Sequence, residues 1–468
     1  LRRHALPALA ALAVLITGPP RKSFELTHLP KEILAAVLAA ALVWSVQRLD
    51  RLDRALLAVA VTSMLSALLA VSPAFSWRPT LLTLVAVAVA IGAREQKDRS
   101  LWLRWMGAAI AVLAAGGVIE GLGWARWSLE GRAPASLLGQ RNTLAHVLVL
   151  GSPVVWTLAL AASRRWERFI WLAVAALIAA VVVMTRSRAA WLAAPVVLIT
   201  FGALSKRAAV IGPVAAGIAA GLLSPIGLVW RSTTPYLDSA RRLFQSEAGS
   251  GAGRLEQWSH TLALFPTAPV LGVGPGNWCV ANAGCDPSVS NRFVTSDWVA
   301  LLVERGALGA VAVAVAVSSM VVLWRRSDQL PVVAAVIAGA AVTGALDAVT
   351  QLPAALVLCA VVCFGGLERT SGAAVTPRPV SMFFAIGALA CASAFASRWV
   401  SSGQTTTFDD LELAVRLDPT DALTRAELLR SDVSAGRCEE GSPHAEVLKR
   451  QLPRESALDA FHSVCDQR

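Results

Sequence analysis

Apolar residues run along this chain in blocks of roughly 14–24, separated by short charged segments. Most blocks show no polar face at helical spacing, so they read as membrane-crossing helices rather than the walls of a soluble core. The pattern places spans near 5–18, 33–46, 55–71, 80–93, 101–119, 143–162, 169–185, 189–204, 208–229, 298–323, 331–348, 354–367 and 381–397. The expected fold is therefore all-α, a polytopic integral membrane protein with about 12–13 transmembrane helices. It divides into N-terminal transmembrane helices (1–229), a long loop with an amphipathic helix (230–297), C-terminal transmembrane helices (298–397) and a small helical tail (398–468).

Composition sharpens this. Hydrophobic residues make up 56% of the 468 positions and charged residues only 16%, against about a quarter charged in soluble domains. The net charge is +11, and its placement matters more than its size. With thirteen spans, the connectors 47–54, 94–100, 163–168, 205–207, 324–330 and 368–380 fall on one side, and each carries at least two Lys or Arg. The positive-inside rule makes that side the cytoplasm and puts the long loop and the tail outside. Cys279 and Cys285 share the loop, while Cys438 and Cys465 share the tail. Both pairs are disulfide candidates in a compartment where such bonds persist. Cys359, Cys363 and Cys391 fall in apolar spans, where a thiol is simply a small hydrophobe. The first span reads as an uncleaved anchor, since no cleavable-signal pattern is present.

Three external segments depart from a plain membrane plan. Residues 119–146 are too polar to span and hold Arg126, Arg132 and Arg141 against Glu120 and Glu130, with Trp124 and Trp127 suited to the interface. They read either as an ordinary surface loop or as part of a binding face. In TRSRAAW (185–191), Arg186 and Arg188 form the whole connector between two apolar spans. They either snorkel into headgroups or face an anion, because a charge at membrane depth is costly unless paired or turned to a polar cavity. The long loop adds Arg231, Arg241, Arg242, Arg254 and Arg292; Leu255, Trp258, Leu262 and Phe265 predict an amphipathic helix over 253–265. PVLGVGPGNW (269–278) is a turn string that can be neither helix nor central strand. This excess of external arginines points to an anionic, membrane-borne substrate, with a lipid-linked pyrophosphate the natural candidate. Nucleic acid is excluded as a partner, because the basic residues are scattered among spans and lie outside the cell.

In this order the segments resemble the O-antigen ligase and O-antigen polymerase family. The resemblance rests on Gly139-Gln-Arg-Asn142 followed by Ala145, Ser187-Arg188-Ala189, and Arg254-x-x-x-Trp258. It continues through Pro269, Gly272, Gly274, Gly276 and Asn277 to Glu304-x-Gly306-x-x-Gly309. It implies a membrane glycosyltransferase that moves a glycan from an undecaprenyl-pyrophosphate carrier to a lipid A–core, glycan or other hydroxyl acceptor at the periplasmic face, with no cofactor and no metal. Arg188 and Arg254 lead as candidates to hold the pyrophosphate, followed by Arg186 and Arg141. Asn142, Gly272, Gly274, Gly276, Asn277, Glu304 and Gly306 are expected to be loop scaffold.

The chain departs from the family at one point. The pattern of His, then Asn, Ser or Gln, then nine residues, then Gly-x-x-Gly aligns the histidine with Thr295. A threonine hydroxyl cannot serve as an ordinary base near neutrality. Asp297, two residues on, either substitutes or caps the following helix. His260 offers itself as a second substitute or as a polar face residue. Thr295, Asp297 and Arg254 are therefore the candidate catalytic residues, and a member that binds or senses lipid-linked glycan without transferring it stands as the alternative. A transporter ranks below both, since as intramembrane ionisable groups for transport the sequence offers Asp347 and Glu120 and little more. In the tail, 411–436 resembles one degenerate tetratricopeptide unit, expected to pack on the body or on a helix around 443–465.

Overall fold

The computed structural model describes residues 2–17, 24–125, 127, 134–223, 250–282, 293–325, 327–367, 373–374, 376–402, 406–452 and 455–465. Arg126, Glu130, Arg132, Arg231, Arg241, Arg242, Cys285 and Arg292 lie outside them. The protein is an all-α polytopic membrane protein. Its body comprises α1 (Arg2–Leu15), α2 (Phe24–Val43), α3 (Arg51–Leu68), α4 (Pro73–Ala93), α5 (Arg99–Gly121), α6 (Arg141–Ala161), α7 (Arg165–Thr185), α8 (Arg188–Ser205) and α9 (Ile211–Leu223). The loop contributes α10 (Ser250–Leu262) and the short α11 (Trp278–Ala281). The second membrane block is α12 (Asp297–Trp324), α13 (Leu330–Leu346), α14 (Pro353–Phe364) and α15 (Arg378–Ser401). Among the described residues, eight helices (α2, α4–α8, α12 and α15) are long and apolar enough to cross a membrane. Four shorter apolar helices accompany them, and α3 carries Arg51, Asp53 and Arg54 in its first turn.

Helix α6 lies near the centre, packed against α5, α7, α8, α13 and α14. Small residues set the close approaches: a Cβ on Gly151 would meet Ile110, and one on Gly339 would meet Val197. At one end of the bundle, the charged connectors meet. Arg48 and Leu49 (β1) pair antiparallel with Ala374 and Ala373 (β2). Arg94 is fully buried between Asp50 and Asp53, at 2.7 and 2.6 Å. Arg99 stacks on the Trp324 ring at 4.8 Å.

The opposite end carries the loop and the tail. Glu120, expected within or beside a span, is 2% exposed and accepts three backbone N–H bonds, from Trp127 (2.8 Å), Ala135 (2.6 Å) and Ser136 (2.8 Å). A buried carboxylate held this way is a structural anchor. Lys31 Nζ donates to the Leu137 carbonyl at 3.1 Å and fixes the same segment. The tail consists of α16 (Phe408–Leu417), α17 (Ala422–Ala435), α18 (Cys438–Gln451) and α19 (Ser456–Cys465). It docks on the body. Ser397 Oγ donates to the Ala414 carbonyl at 2.8 Å, Arg398 pairs with Asp421 at 2.8 Å, and Trp77 Nε1 donates to Thr420 Oγ1 at 2.8 Å. Its own core takes in Val280 and packs against Phe75, and Cys438 is bonded to Cys465. Cys279 is also disulfide-bonded.

Candidate functional site

The glycine string and the Glu304-x-Gly306 stretch form one joint. Gly306 has φ +67° and ψ −175°, a break inside α12 that only glycine adopts readily. The break turns helix carbonyls outward, and the string supplies their donors: Val273 N to Val303 O at 3.0 Å and Gly274 N to Glu304 O at 3.1 Å. In return Ala307 N reaches Pro269 O at 2.9 Å and Leu308 N reaches Val270 O at 3.1 Å. A Cβ on Gly272 would fall 2.3 Å from the Glu304 carbonyl carbon, so the two backbones touch. The Glu304 carboxylate accepts from the backbone of Gly276 and Trp278. Arg305 turns the other way, to Ser63 Oγ on α3 (3.0 Å) and Thr83 Oγ1 on α4 (2.7 Å). Asn277 closes the joint, accepting from Ser72 N and donating to Ser76 Oγ, both at 2.7 Å. Glu304 and Arg305, odd in so apolar a chain, thus satisfy buried backbone and hydroxyl groups on opposite sides of the break.

Just upstream, α10 is latched to the entrance of α12. Gln257 Oε1 accepts from Thr295 N (2.9 Å) and from Thr295 Oγ1 (2.6 Å), and Trp258 Nε1 donates to Thr295 Oγ1 at 3.2 Å. The Thr295 hydroxyl is therefore both donor and acceptor in a structural latch. Ser296, not Asp297, is the N-cap of α12, accepting from Val299 N. Asp297 reaches across to the turn after α13, where Val349 N (3.0 Å), Thr350 N (3.1 Å) and Thr350 Oγ1 (2.5 Å) donate to it. His260 lies in the last turn of α10.

The latch positions Arg254, one turn earlier on α10. Its Nη2 lies 3.9 Å from Asp347 Oδ2, and His146 Nε2 lies 3.9 Å from the same oxygen. The apolar run puts Asp347 inside an expected span ending at 348. Instead α13 stops at Leu346, and Asp347 stands just beyond it in extended conformation with its side chain 22% exposed. His146 is 1% exposed, and its Nε2 makes no hydrogen bond among the described residues. In the sequence His146 is a lone histidine four positions after Asn142 and Asp347 only an ionisable residue inside an apolar run; nothing there joins two residues about two hundred positions apart.

The remaining candidate arginines stand at helix ends. Arg141 opens α6, Arg188 opens α8, and Arg186 is the C-cap of α7 with φ +56°. The tight 186–187 turn is held by Trp191 Nε1 donating to the Val182 carbonyl at 3.1 Å. A cation in the first turn opposes the helix dipole, so Arg141 and Arg188 weaken their own helices slightly. Both the cation and the helix N-terminus are complementary to one kind of ligand, an anion.

Residues 173–289, from α7 through the 186–188 turn and the glycine string, match the family model described as O-antigen ligase. Over this segment, a quarter of its length, the chain is similar to the O-antigen ligase family. The match holds Arg186, Arg188, Arg254 and the scaffold glycines up to Gly276, and ends before Thr295, Asp297 and Asp347. No curated protein matches this chain.

Proposed function

We propose that the protein transfers or polymerises a glycan from an undecaprenyl-pyrophosphate-linked donor, acting at the periplasmic face of the inner membrane. The observation that supports this is the placement of arginines where an anion is favoured: Arg141 and Arg188 open helices, Arg186 caps the turn before Arg188, and Arg254 stands on the loop helix beside Asp347. Glycosyl transfer from such a donor breaks the anomeric C–O bond and leaves pyrophosphate with the electron pair. Fixed guanidinium groups that meet this growing charge stabilise the transition state more than anything else such a site can offer, since they need no reorganisation during the reaction. Arginine also matches phosphate oxygens two at a time. The acceptor is a hydroxyl of lipid A–core or of a second glycan.

Thr295 favours a second reading, in which the protein binds lipid-linked glycan without transferring it, because its hydroxyl is committed to Gln257 and Trp258. One experiment separates the two. Purified full-length protein is given an undecaprenyl-pyrophosphate-linked oligosaccharide with lipid A–core, or with excess donor, and released undecaprenyl pyrophosphate is measured. The ligase reading expects turnover that Arg254→Ala abolishes. Tight binding of the donor with no release would sink it in favour of the binding protein.

A further inference from the structure

We propose that Asp347 is the base that takes the acceptor's proton, with His146 behind it as the positioning residue. This rests on the glycan-transfer reading and supplies the base that Thr295 cannot provide.

Three carboxylates or hydroxyls stand near the α12 entrance, and two of them are committed elsewhere. Thr295 is held by Gln257 and Trp258. Asp297 already receives the hydrogen bonds of Val349 and Thr350, which fix the turn after α13. Asp347 differs. Its Oδ1 accepts from Ala348 N at 2.9 Å, while Oδ2 faces the longer 3.9 Å approaches of His146 Nε2 and Arg254 Nη2. It is also far more exposed than His146, at 22% against 1%. A substrate hydroxyl can reach Asp347 and cannot reach the buried imidazole. The charged and titratable groups that face Asp347 are His146 from α6, Arg254 from α10 and Asp297 from α12, the last close enough to interact electrostatically. Asp347 therefore borders the corner where the family's histidine would stand.

The arrangement also couples the base to the donor. At rest Arg254 is the counterion of Asp347, 3.9 Å away. When the donor's pyrophosphate engages Arg254, that cation turns to the phosphate and Asp347 is released to accept a proton. The acceptor oxygen then bonds to the anomeric carbon as the C–O bond to pyrophosphate breaks. The electron pair leaves with the pyrophosphate, and the hydroxyl proton passes to Asp347 Oδ2. His146 Nε2 has no other hydrogen bond among the described residues, so its closure onto Asp347 orients the carboxylate. Resting catalytic contacts are often long and tighten only in the loaded complex.

The test uses the full-length protein in nanodiscs, with an undecaprenyl-pyrophosphate-linked oligosaccharide for turnover and undecaprenyl pyrophosphate for binding. Asp347→Asn should lower kcat by about 100-fold or more without raising the donor KM, since the group acts on the acceptor proton and no longer competes for Arg254. Formate should restore turnover to Asp347→Ala in a concentration-dependent way and do nothing for Asp297→Ala. His146→Ala should lose kcat by about tenfold, and His146→Gln, whose amide nitrogen can take the place of Nε2, should recover most of it. The inference falls if Asp347→Asn keeps kcat close to wild type, or if formate fails on an Asp347→Ala protein that binds undecaprenyl pyrophosphate. It falls equally if Asp347→Ala loses that binding, which would make Asp347 a structural residue. A wild-type protein that binds but never turns over overturns the transfer reading itself, a result distinct from wild-type turnover that is insensitive to Asp347.

Discussion

Replacing Gly306 with alanine should unlock the joint between the loop and α12. At φ +67° and ψ −175°, an L-residue is strained by about 1–3 kcal/mol. The added Cβ would sit 2.3 Å from the Val270 carbonyl oxygen and 2.4 Å from its carbon. These are backbone atoms that cannot swing aside, so the glycine string must retreat. The retreat stretches the bonds from Ala307 N to Pro269 O and from Leu308 N to Val270 O, each a contribution of about 1 kcal/mol. The total is about 3–5 kcal/mol, among the larger effects expected of one methyl group. Thermal unfolding in detergent, followed by tryptophan fluorescence, should show Gly306→Ala unfolding several degrees below wild type. Hydrogen exchange should show the amides of 270–278 opening first. Gly253→Ala is the control, because a Cβ there meets nothing within 4 Å among the described residues; in a helix interior it should be neutral or stabilising by up to about 1 kcal/mol. Equal unfolding temperatures for the two variants, with unchanged exchange at 270–278, would refute the reasoning.

Other expectations concern the opposite end and the tail. Arg94→Met leaves Asp50 and Asp53 buried without their cation and should destabilise by about 3–5 kcal/mol, read as a lower unfolding temperature; unchanged stability would mean the pair is hydrated. Removing the Cys438–Cys465 bond frees a loop with a sequence separation of 27. That should cost the tail about 3.5 kcal/mol and appear as proteolysis within 438–465 under conditions where wild type resists. Burial first, and Arg425 second, hold the His444 imidazole below its usual pKa. The unfolded chain therefore binds the extra proton more readily, so tail stability should fall as pH drops below about 6.5. His444→Gln should flatten that dependence, and an unaltered pH profile would count against it.

Much of the architecture was legible because it is written locally. Each of the thirteen apolar blocks contains a helix, since a long apolar run has few other ways to satisfy its backbone. The glycine string read correctly as non-helical up to Asn277, where its Gly and Pro residues break any helix; its last residue, Trp278, opens α11. What escaped depends on distant partners. Asp347 counted as a span residue because the apolar run continues to 348, whereas the helix ends at Leu346 and hands the carboxylate to His146 and Arg254. Asp297 looked like a helix cap, but Ser296 has that role and Asp297 commits its oxygens to a turn about fifty residues later. No periodicity marks Gly306 as a break, because the residues on both sides are good helix formers and only the string it meets explains it.

That break also acts as a ruler. An unbroken helix of 28 residues would extend about 42 Å, well beyond the roughly 30 Å hydrocarbon thickness of a bilayer. Past Gly306 about 18 residues remain, close to roughly 27 Å of helix. The segment after the break is therefore by itself of membrane-spanning length. Gly306 thus divides α12 into a short head, which carries Glu304 and Arg305 and meets the glycine string, and a straight rod behind it.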